Sequence, residues 1–367
     1  MGLGLLMAVY SVMQFIFAPI WGGLSDRYGR KRILLLGVFG NALSLLLMGL
    51  ASSYWTLLAA RSLAGILSSA TLPTAMAYIG DSTSEADRGG GMGIVGAAMG
   101  VGMVIGPGLG GWLASASLSM PFYLAAALSM AALVLIAAIL PESLPEDQRV
   151  QGVSLAGPQL AELRKALVGP LGFLFLMAFM VSFAMTSFEG VFGLYALRRF
   201  DYGPERVGTI MTVIGVISAV IQGVLTGPAT RRWGEGQVIK ASLIGSVIGF
   251  GLMLLAFDFA TVLITVGFFV VSNTMLRPAI SALISKGARS GQGVAMGLNN
   301  SFMSLGRIAG PLWAGALFDV NISLPYLSGA VVLAIVYGVS LFKLTLPRFR
   351  PADPANAPEA VGQRWMS

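Results

Sequence analysis

Glu189 is the residue whose surroundings point most clearly to chemistry, because it is an acid in the middle of a long apolar stretch. Phe188 and Phe192 flank it. A carboxyl group in apolar surroundings is costly to keep charged, so it can exchange a proton or bind a cationic group of a ligand. The chain has no histidine, which removes the usual proton shuttle. We therefore expect Glu189 to be the titrating group of any site within the apolar region.

Further polar residues within apolar stretches extend this candidate site. Arg277 and Arg307 are expected to balance the charge of Glu189 or to bind anionic groups, and Arg307 has the alternative of lying near a membrane edge. Arg61 is expected to face the protein interior and to have a partner. The alternative is that the Arg61 side chain, about 9 Å inside its apolar stretch, extends to the outer interface of the membrane with water. Neutral amides complete the set: Gln14, Asn299 and Asn300.

The composition identifies the environment of these residues as a lipid bilayer. Hydrophobic residues make up 56% of the chain and charged residues 11%, and the mean hydropathy is +0.81. That is more apolar surface than one water-soluble core can bury. Cysteine and histidine are both absent, so we expect no metal, no cofactor and no enzymatic activity. The net charge of +7 fits basic residues beside a membrane better than binding to nucleic acid.

The apolar stretches are long enough to cross roughly 30 Å of hydrocarbon as helices of roughly 20 residues. The predicted fold class is an all-α membrane protein. About eleven spans are predicted, at 3–21, 33–51, 55–79, 92–114, 121–140, 171–197, 207–225, 238–257, 261–284, 294–318 and 324–344.

The distribution of Lys and Arg predicts the orientation. Basic residues follow every second span, beginning with the first, and they recur in the C-terminal tail, whereas most of the other loops have none. By the positive-inside rule the basic loops and the C-terminus are cytoplasmic, and the chain starts outside. The segment 198–206, which contains three arginines, is an exception on the predicted outer side.

Two motifs occur twice at nearly the same spacing, which indicates an internal duplication. The segment 22–32 has a weaker copy that begins at Gly227, 205 residues later, and the segment 102–111 has a copy that begins at Gly306, 204 residues later. In a chain this apolar, repeats of several helices each are typical of secondary transporters, whose substrate site lies between the two halves.

The duplication predicts a division of the chain into four parts. Residues 1–140 form an N-terminal helical bundle, 141–169 a cytoplasmic linker with a short amphipathic helix near 160–167, 170–346 a C-terminal six-helix bundle, and 347–367 a disordered cytoplasmic tail. Counting back by the same spacing puts the counterpart of the sixth span before residue 1. The arrangement is therefore five plus six helices, and the first bundle is expected to lack its opening helix. The preferred explanation is a truncated sequence, and the alternative is a natural protein without that helix.

The repeated motifs carry a family resemblance. The first resembles the loop signature of the major facilitator superfamily, in the residues Gly22, Leu24, Asp26, Arg27, Gly29, Arg30, Lys31 and Leu34. Arg61 with Gly65 resembles the fourth-helix signature of that superfamily. The second motif resembles the helix signature of its drug:proton antiporters, in Gly102, Gly106, Pro107, Gly110 and Gly111. The segment 10–30 is especially similar to bacterial tetracycline and multidrug exporters.

This resemblance implies a two-bundle fold, a multi-pass location in a bacterial-type inner (plasma) membrane, and a monomer. It also implies that small molecules and protons are the partners and that multidrug efflux by proton antiport is the activity. In the resembled family the arginine that matches Arg61 is implicated in proton coupling. Two alternatives stay open, namely uptake or symport of a sugar or metabolite, and a truncated remnant that does not transport.

Each motif also has a physical interpretation of its own. Gly22 and Gly29 permit a turn and close backbone approach, and Asp26 lies among cations with which it can form an ion-paired latch on the cytoplasmic face. The alternative is that Arg27 and its neighbours only obey the positive-inside rule. The glycine-rich segment 102–111 predicts close helix packing, with a bend at its proline.

Overall fold

The computed structural model describes residues 2–84, 87–149, 160–288 and 292–344, and within these ranges all the long regular elements are helices. Helices satisfy every backbone hydrogen bond internally, as a bilayer requires. In chain order they are α1 (Gly2–Tyr28), α2 (Arg30–Gly49), α3 (Tyr54–Ser82), α4 (Arg88–Ala116), α5 (Met120–Ile139), α6 (Leu160–Val168), α7 (Gly172–Phe200), α8 (Pro204–Trp233), α9 (Glu235–Leu254), α10 (Phe259–Gly287), α11 (Gln292–Val320) and α12 (Leu324–Lys343).

Ten of the helices in these ranges are long and apolar enough to cross a membrane. The predicted span 294–318 corresponds to α11, which has 29 residues but is not among the ten. Asn299, Asn300 and Arg307 lower its hydropathy. Three long helices are interrupted: α3 by a tight turn at Ser68–Ala70, α8 by a wider turn at Ile221–Leu225, and α10 at Met275.

The helix bounds of the two halves repeat at constant spacings. Helices α2 and α9 begin and end 205 residues apart, and so do α3 and α10. Helices α4 and α11, and likewise α5 and α12, begin and end 204 residues apart. These are the same two spacings that the sequence motifs carry, so the duplication extends over four helices of each half.

The starts of the matching helices α3 and α10 show the repeat at the level of side chains. Ser53 and Thr56 form a reciprocal capping box at the beginning of α3, and Asp258 and Thr261 form one at the beginning of α10. Such boxes satisfy the free N–H groups of a first helical turn. The hydroxyl group and then the N–H of Thr261 hold the pKa of the Asp258 carboxyl below its usual range.

The helices pack as two groups. In the first half α1 packs on α2 and α3, and α2 packs on α5; in the second half α7 packs on α11 and α12, and α9 packs on α10 and α12. The main contacts between the halves are α4 with α8 and α1 with α11. The second half has the larger core, in which the rings of Phe250 and Phe269 lie 4.5 Å apart and Phe188 packs on Phe269 at 5.3 Å.

The predicted loop at 22–32 is wrong in its extent. Helix α1 continues to Tyr28, α2 begins at Arg30, and Gly29 alone separates them. The helix continues because the polar residues of this segment form ion pairs at the membrane edge and need no loop to reach water.

The linker is partly described. Its predicted helix near 160–167 corresponds to α6, and Leu163 of α6 is buried in the core of the second half. Residues 150–159 and the predicted disordered tail 347–367 lie outside the described ranges.

Candidate functional site

Glu189 lines a cavity between helices. Its side chain is accessible to solvent, although protein surrounds it on nearly every side. A side chain that is both accessible and enclosed faces an internal cavity and not the outer surface. The neighbouring Phe188 is only 1% exposed, in the core of the second half, which fixes the rotation of α7 about its axis.

Two arginines from other helices of the second half lie around this carboxylate. Arg277 on α10 is accessible and enclosed like Glu189, and Arg307 on α11 is half-buried. Both attract the carboxylate of Glu189 electrostatically. Among the described residues, none of the ion pairs within 4.0 Å involves Glu189. The charges therefore share one space without direct contact.

The first half contributes Arg61 and Tyr10 to the same region. The guanidinium carbon of Arg61 lies 5.3 Å from the centre of the Tyr10 ring, a cation–π distance. Tyr10 also lies within electrostatic range of Arg307, which puts Arg61 and Arg307 in one region. Gln14, half-buried, follows Tyr10 by one helical turn on α1. Sequence reasoning did not identify Tyr10; its four-residue spacing from Gln14, which places both on one helix face, was the available signal.

The two asparagines of α11 are separated by the structure. Asn299 is buried and its Nδ2 donates to the Oγ of Ser281 on α10 at 3.1 Å, while its Oδ1 has no partner in the described part of the chain. Asn300 is exposed. Both lie two turns from Arg307, about 12 Å along the helix, so Asn299 joins α10 to α11 away from the arginines.

Hydroxyl groups of α7 attach it to α11. Thr186 donates to the carbonyl of Gly306 at 3.2 Å, and Ser187 donates to the carbonyl of Gly310 at 3.1 Å. Close approach of the backbones at these glycines makes the bonds geometrically possible. They hold the helix that carries Glu189 in a fixed position beside the helix that carries Arg307.

A second polar cluster lies where α1, α2 and α3 meet. Arg30 donates from Nε to the Asp81 carboxylate at 2.9 Å and from Nη1 to the Ser25 hydroxyl at 2.7 Å, and it also pairs with Asp26. Asp26 therefore forms an ion pair, within the first half, and its role as a latch stays a prediction. Arg27 is exposed beside the ring of its neighbour Tyr28, at 5.2 Å.

Glu142, from the start of the linker, caps α2. Its carboxylate accepts from the backbone N–H of Arg30 at 2.8 Å and of Lys31 at 3.2 Å. An anion at a helix N-terminus is stabilised by these free N–H groups. Gly29 makes room for it: its φ is 98°, and a Cβ built there would lie 2.9 Å from the Glu142 side-chain carbon. The sequence contained no signal for this contact between segments 112 residues apart.

We expect Arg30→Gln to destabilise the first half by about 1–3 kcal/mol, because it leaves two partly exposed carboxylates without a cation. Asp26→Asn should cost less, under about 1 kcal/mol, because Asp81 still holds Arg30. Denaturant unfolding of purified protein, followed by tryptophan fluorescence, measures both, and Arg27→Gln is the control that removes a cation from the exposed neighbour. Equal losses for Arg30→Gln and Arg27→Gln would contradict the assignment of this cluster.

The antiporter-like helix α4 contacts the second half at only some of its glycines. A Cβ on Gly111 would lie 2.8 Å from the Cα of Gly208 on α8, and one on Gly208 would lie 2.6 Å from the carbonyl oxygen of Pro107. Gly102, Gly106 and Gly110 have no neighbour within 4 Å of a built Cβ. Of the glycines in the motif 102–111, it is those facing α8 that pack closely.

The close contacts between the halves lie toward one end of the molecule. We define the basic end as the end where α1 meets α2 at Gly29, and the opposite end as the end where α4 finishes at Ala116. A Cβ on Gly4, near the opposite end of α1, would meet the backbone of Pro311 on α11. Toward the basic end, Gly22 and Gly297 have open space around them. Among the glycines of the described ranges, those in close contact between the halves therefore lie toward the opposite end.

Comparison with known proteins identifies the family. The family model described as Major Facilitator Superfamily matches residues 1–311. The chain belongs to the Major Facilitator Superfamily. Members of the superfamily are transporters and not enzymes. The chain shares 33% identity with Multidrug resistance protein 2 of Bacillus subtilis, over 92% of this chain and 85% of that protein. It shares 30% identity with the Quinolone resistance protein NorA of Staphylococcus aureus strain COL, over 93% of this chain and 87% of that protein.

Solved structures of the superfamily have the same fold. The human organic anion transporter MFSD10 (TETRAN) is 27% identical with a TM-score of 0.66, covering 95% of this chain and 83% of that one. The nucleoside transporter NupG is 16% identical with a TM-score of 0.75, covering 93% and 90%; that likeness concerns the fold alone. The predicted superfamily membership, the all-helical membrane fold and its drug-exporter relatives are thereby confirmed.

Proposed function

We propose that this protein exports amphipathic small molecules across a bacterial-type cytoplasmic membrane in exchange for protons. The basic end is then cytoplasmic, together with the C-terminus, as the positive-inside rule requires. The relatives named as multidrug and quinolone resistance proteins support the export of drug-like cargo. The cargo site is the cavity between the halves that Glu189 lines, and the protein acts as a monomer.

The observation that carries the proton-coupling proposal is the position of Glu189. The other acidic residues of the described ranges lie at helix ends or in connecting segments. Glu189 is therefore the carboxylate that can hold a proton at mid-depth, within reach of cargo. Binding of a proton and binding of a cationic group at one carboxylate exclude each other, which is the simplest physical basis of exchange.

Alternating access supplies the movement. The close glycine contacts between the halves lie toward the opposite end, which supports a cavity that opens to the cytoplasmic side. Residues 1–140 and 170–346 would rock as two units about the cavity, closing the basic end and separating Gly111 from Gly208. Gly102, Gly106, Pro107 and Gly110 give α4 the smooth, bent surface that such movement needs.

We expect Glu189→Gln to abolish uptake of a cationic cargo driven by a pH gradient. A neutral amide cannot carry the proton, although the cavity remains. The measurement is accumulation of a fluorescent amphipathic amine in proteoliposomes with and without an imposed pH gradient, for which we expect a loss of about tenfold or more. Glu205→Gln, an exposed carboxylate at the opposite end, is the matched control. Undiminished gradient-driven accumulation by Glu189→Gln would rule out this carboxylate as the proton carrier.

A further inference from the structure

Helix α6 of the linker carries cations and large apolar residues together on its outer side. Its inner side is Leu163, which is buried in the core of the second half. Leu167 and Val168 are 44% and 88% exposed, and Arg164 and Lys165 are exposed as well. Residues three and four apart share a helix face, so Arg164 lies on the face of the two exposed apolar side chains. Cations beside exposed apolar residues on a short helix are typical of segments that lie in a membrane–water interface.

The attachment of α6 to α7 fixes its depth at the edge of the bilayer. Helix α6 ends at Val168, and the membrane-spanning helix α7 begins at Gly172. Within the turn between them, the N–H of Gly172 donates to the carbonyl of Gly169 at 3.0 Å. The turn also packs on the second half, because a Cβ built on Gly287, at the end of α10, would lie 2.6 Å from the Leu171 side chain. The outer side of α6 is therefore held at the level of the lipid headgroups at the basic end.

A cavity lies beside this outer side. Among the described residues, Arg164, Lys165, Val168 and Gly169 line it, and its volume is about 670 Å³. In the described ranges no carboxylate forms an ion pair with Arg164, and Lys165 pairs with Glu162 at 2.9 Å. Both side chains of that pair are more than half exposed, so the pair contributes little and is easily exchanged for another anion. Two cations are thus available next to an apolar side chain.

We propose that α6 binds an anionic phospholipid of the leaflet at the basic end. The lipid phosphate is held by Arg164 and Lys165, and an acyl chain lies along Leu167 and Val168. A guanidinium group binds a phosphate through two parallel hydrogen bonds, and the lysine adds a point charge. The exposed apolar side chains favour a ligand with a hydrocarbon chain over a free anion. A zwitterionic lipid offers the same phosphate without net charge, so the two adjacent cations favour the anionic lipid.

This site is separate from the cavity that Glu189 lines, and its occupant is not cargo. Helix α6 contacts α7 and α11 of the second half, and the contacts that form the site lie within α6 and the turn that follows it. The proposal needs α6 only at a membrane surface. Failure of the proposed transport activity would therefore leave it unchanged.

The test measures displacement of a fluorescent phosphatidylglycerol from the purified chain in micelles of an uncharged detergent, followed by fluorescence anisotropy. Unlabelled phosphatidylglycerol, as a competitor, has the net charge and the acyl chains. Phosphatidylcholine has the chains without the net charge, and glycerophosphoglycerol has the charge without the chains. We expect phosphatidylglycerol to compete about tenfold or more strongly than either of the other two compounds.

The variants separate the contact with the phosphate from the contact with the acyl chain. Arg164→Gln combined with Lys165→Gln should weaken binding of the fluorescent lipid about tenfold. Val168→Gln should weaken it about fivefold, because the apolar contact is lost. These positions are exposed, where substitutions have little effect on folding. The control is Arg231→Gln combined with Arg232→Gln, which removes two adjacent exposed cations from the last turn of α8 and should change binding less than about twofold.

Three results would overturn the proposal. Equal competition by phosphatidylcholine would mean that the chain recognises hydrocarbon and phosphate without regard to net charge. Equal competition by glycerophosphoglycerol would mean that α6 binds a free anion and that its apolar residues take no part. A loss in the α8 control as large as the loss in the α6 double variant would mean that lipid responds to the diffuse charge of the basic end, with no site at α6.

Discussion

Gly111→Val is expected to reduce transport about tenfold or more, because it keeps the halves from closing at the opposite end. A valine at this position would place its Cβ 2.5 Å from the carbonyl oxygen of Pro204 and 2.8 Å from the Cα of Gly208. Both are backbone atoms and cannot move aside. Overpacking of this kind costs about 1–3 kcal/mol, and here only the state closed at the opposite end bears that cost. Each 1.4 kcal/mol shifts the balance of states about tenfold.

The neighbouring Gly110 provides the control, because nothing lies within 4 Å of a Cβ built there. Gly110→Val should transport at a rate close to that of the unmodified chain. Transport is measured in proteoliposomes, and the balance of states by spin labels on cysteines introduced at both ends of the cysteine-free chain. If both valine variants transport equally well, or if Gly111→Val leaves the label distances unchanged, the contact between Gly111 and Gly208 is not the closing contact.

Gly310→Val is expected to destabilise the second half by about 2–4 kcal/mol, combining overpacking with the loss of one or two hydrogen bonds. Its Cβ would lie 2.6 Å from the carbonyl oxygen of Phe183 and would also strike the Thr186 hydroxyl group. The helix must then move away from α7, which breaks the bonds from Thr186 and Ser187. Denaturant unfolding in detergent micelles measures the loss.

The internal repeat supplies the matched control for this variant. Gly106 is the residue that corresponds to Gly310, 204 positions earlier, and it faces open space. Gly106→Val should therefore leave the free energy of unfolding nearly unchanged. A similar loss for both variants would mean that the two glycines act through helix propensity alone and that packing against α7 contributes nothing.

The fold was largely predictable from the sequence because its determinants are periodic and local. Long apolar stretches decide where helices cross, and two duplicated motifs reveal their order, which the helix bounds repeat at the same spacings. The segment at 22–32 was predicted as a loop and is mostly helix. Glycines and charges resemble a turn in the sequence, whereas the ion pair of Asp26 with Arg30 allows the helix to continue.

The candidate site was predictable in its members but not in its assembly. Glu189, Arg277 and Arg307 stand out singly as charges inside apolar spans, and the structure brings them around one cavity. Tyr10 carries no such signal because tyrosine is common near the ends of membrane spans. Gly208 was missed for a similar reason: an isolated glycine in a helix is informative only when the backbone that approaches it is known.

The anchoring of the linker at both ends has a consequence for the strength of the contacts between the halves. Glu142 is fixed to the start of α2, and Leu163 is buried in the second half. The chain between them can extend to about 60 Å or more, at roughly 3.3 Å per residue, so it does not limit rocking. It acts as a covalent tether that holds each half near the other at an effective concentration on the order of millimolar. Contacts as slight as glycine on glycine are then sufficient for the proposed cycle, since the halves can separate at one end without diffusing apart.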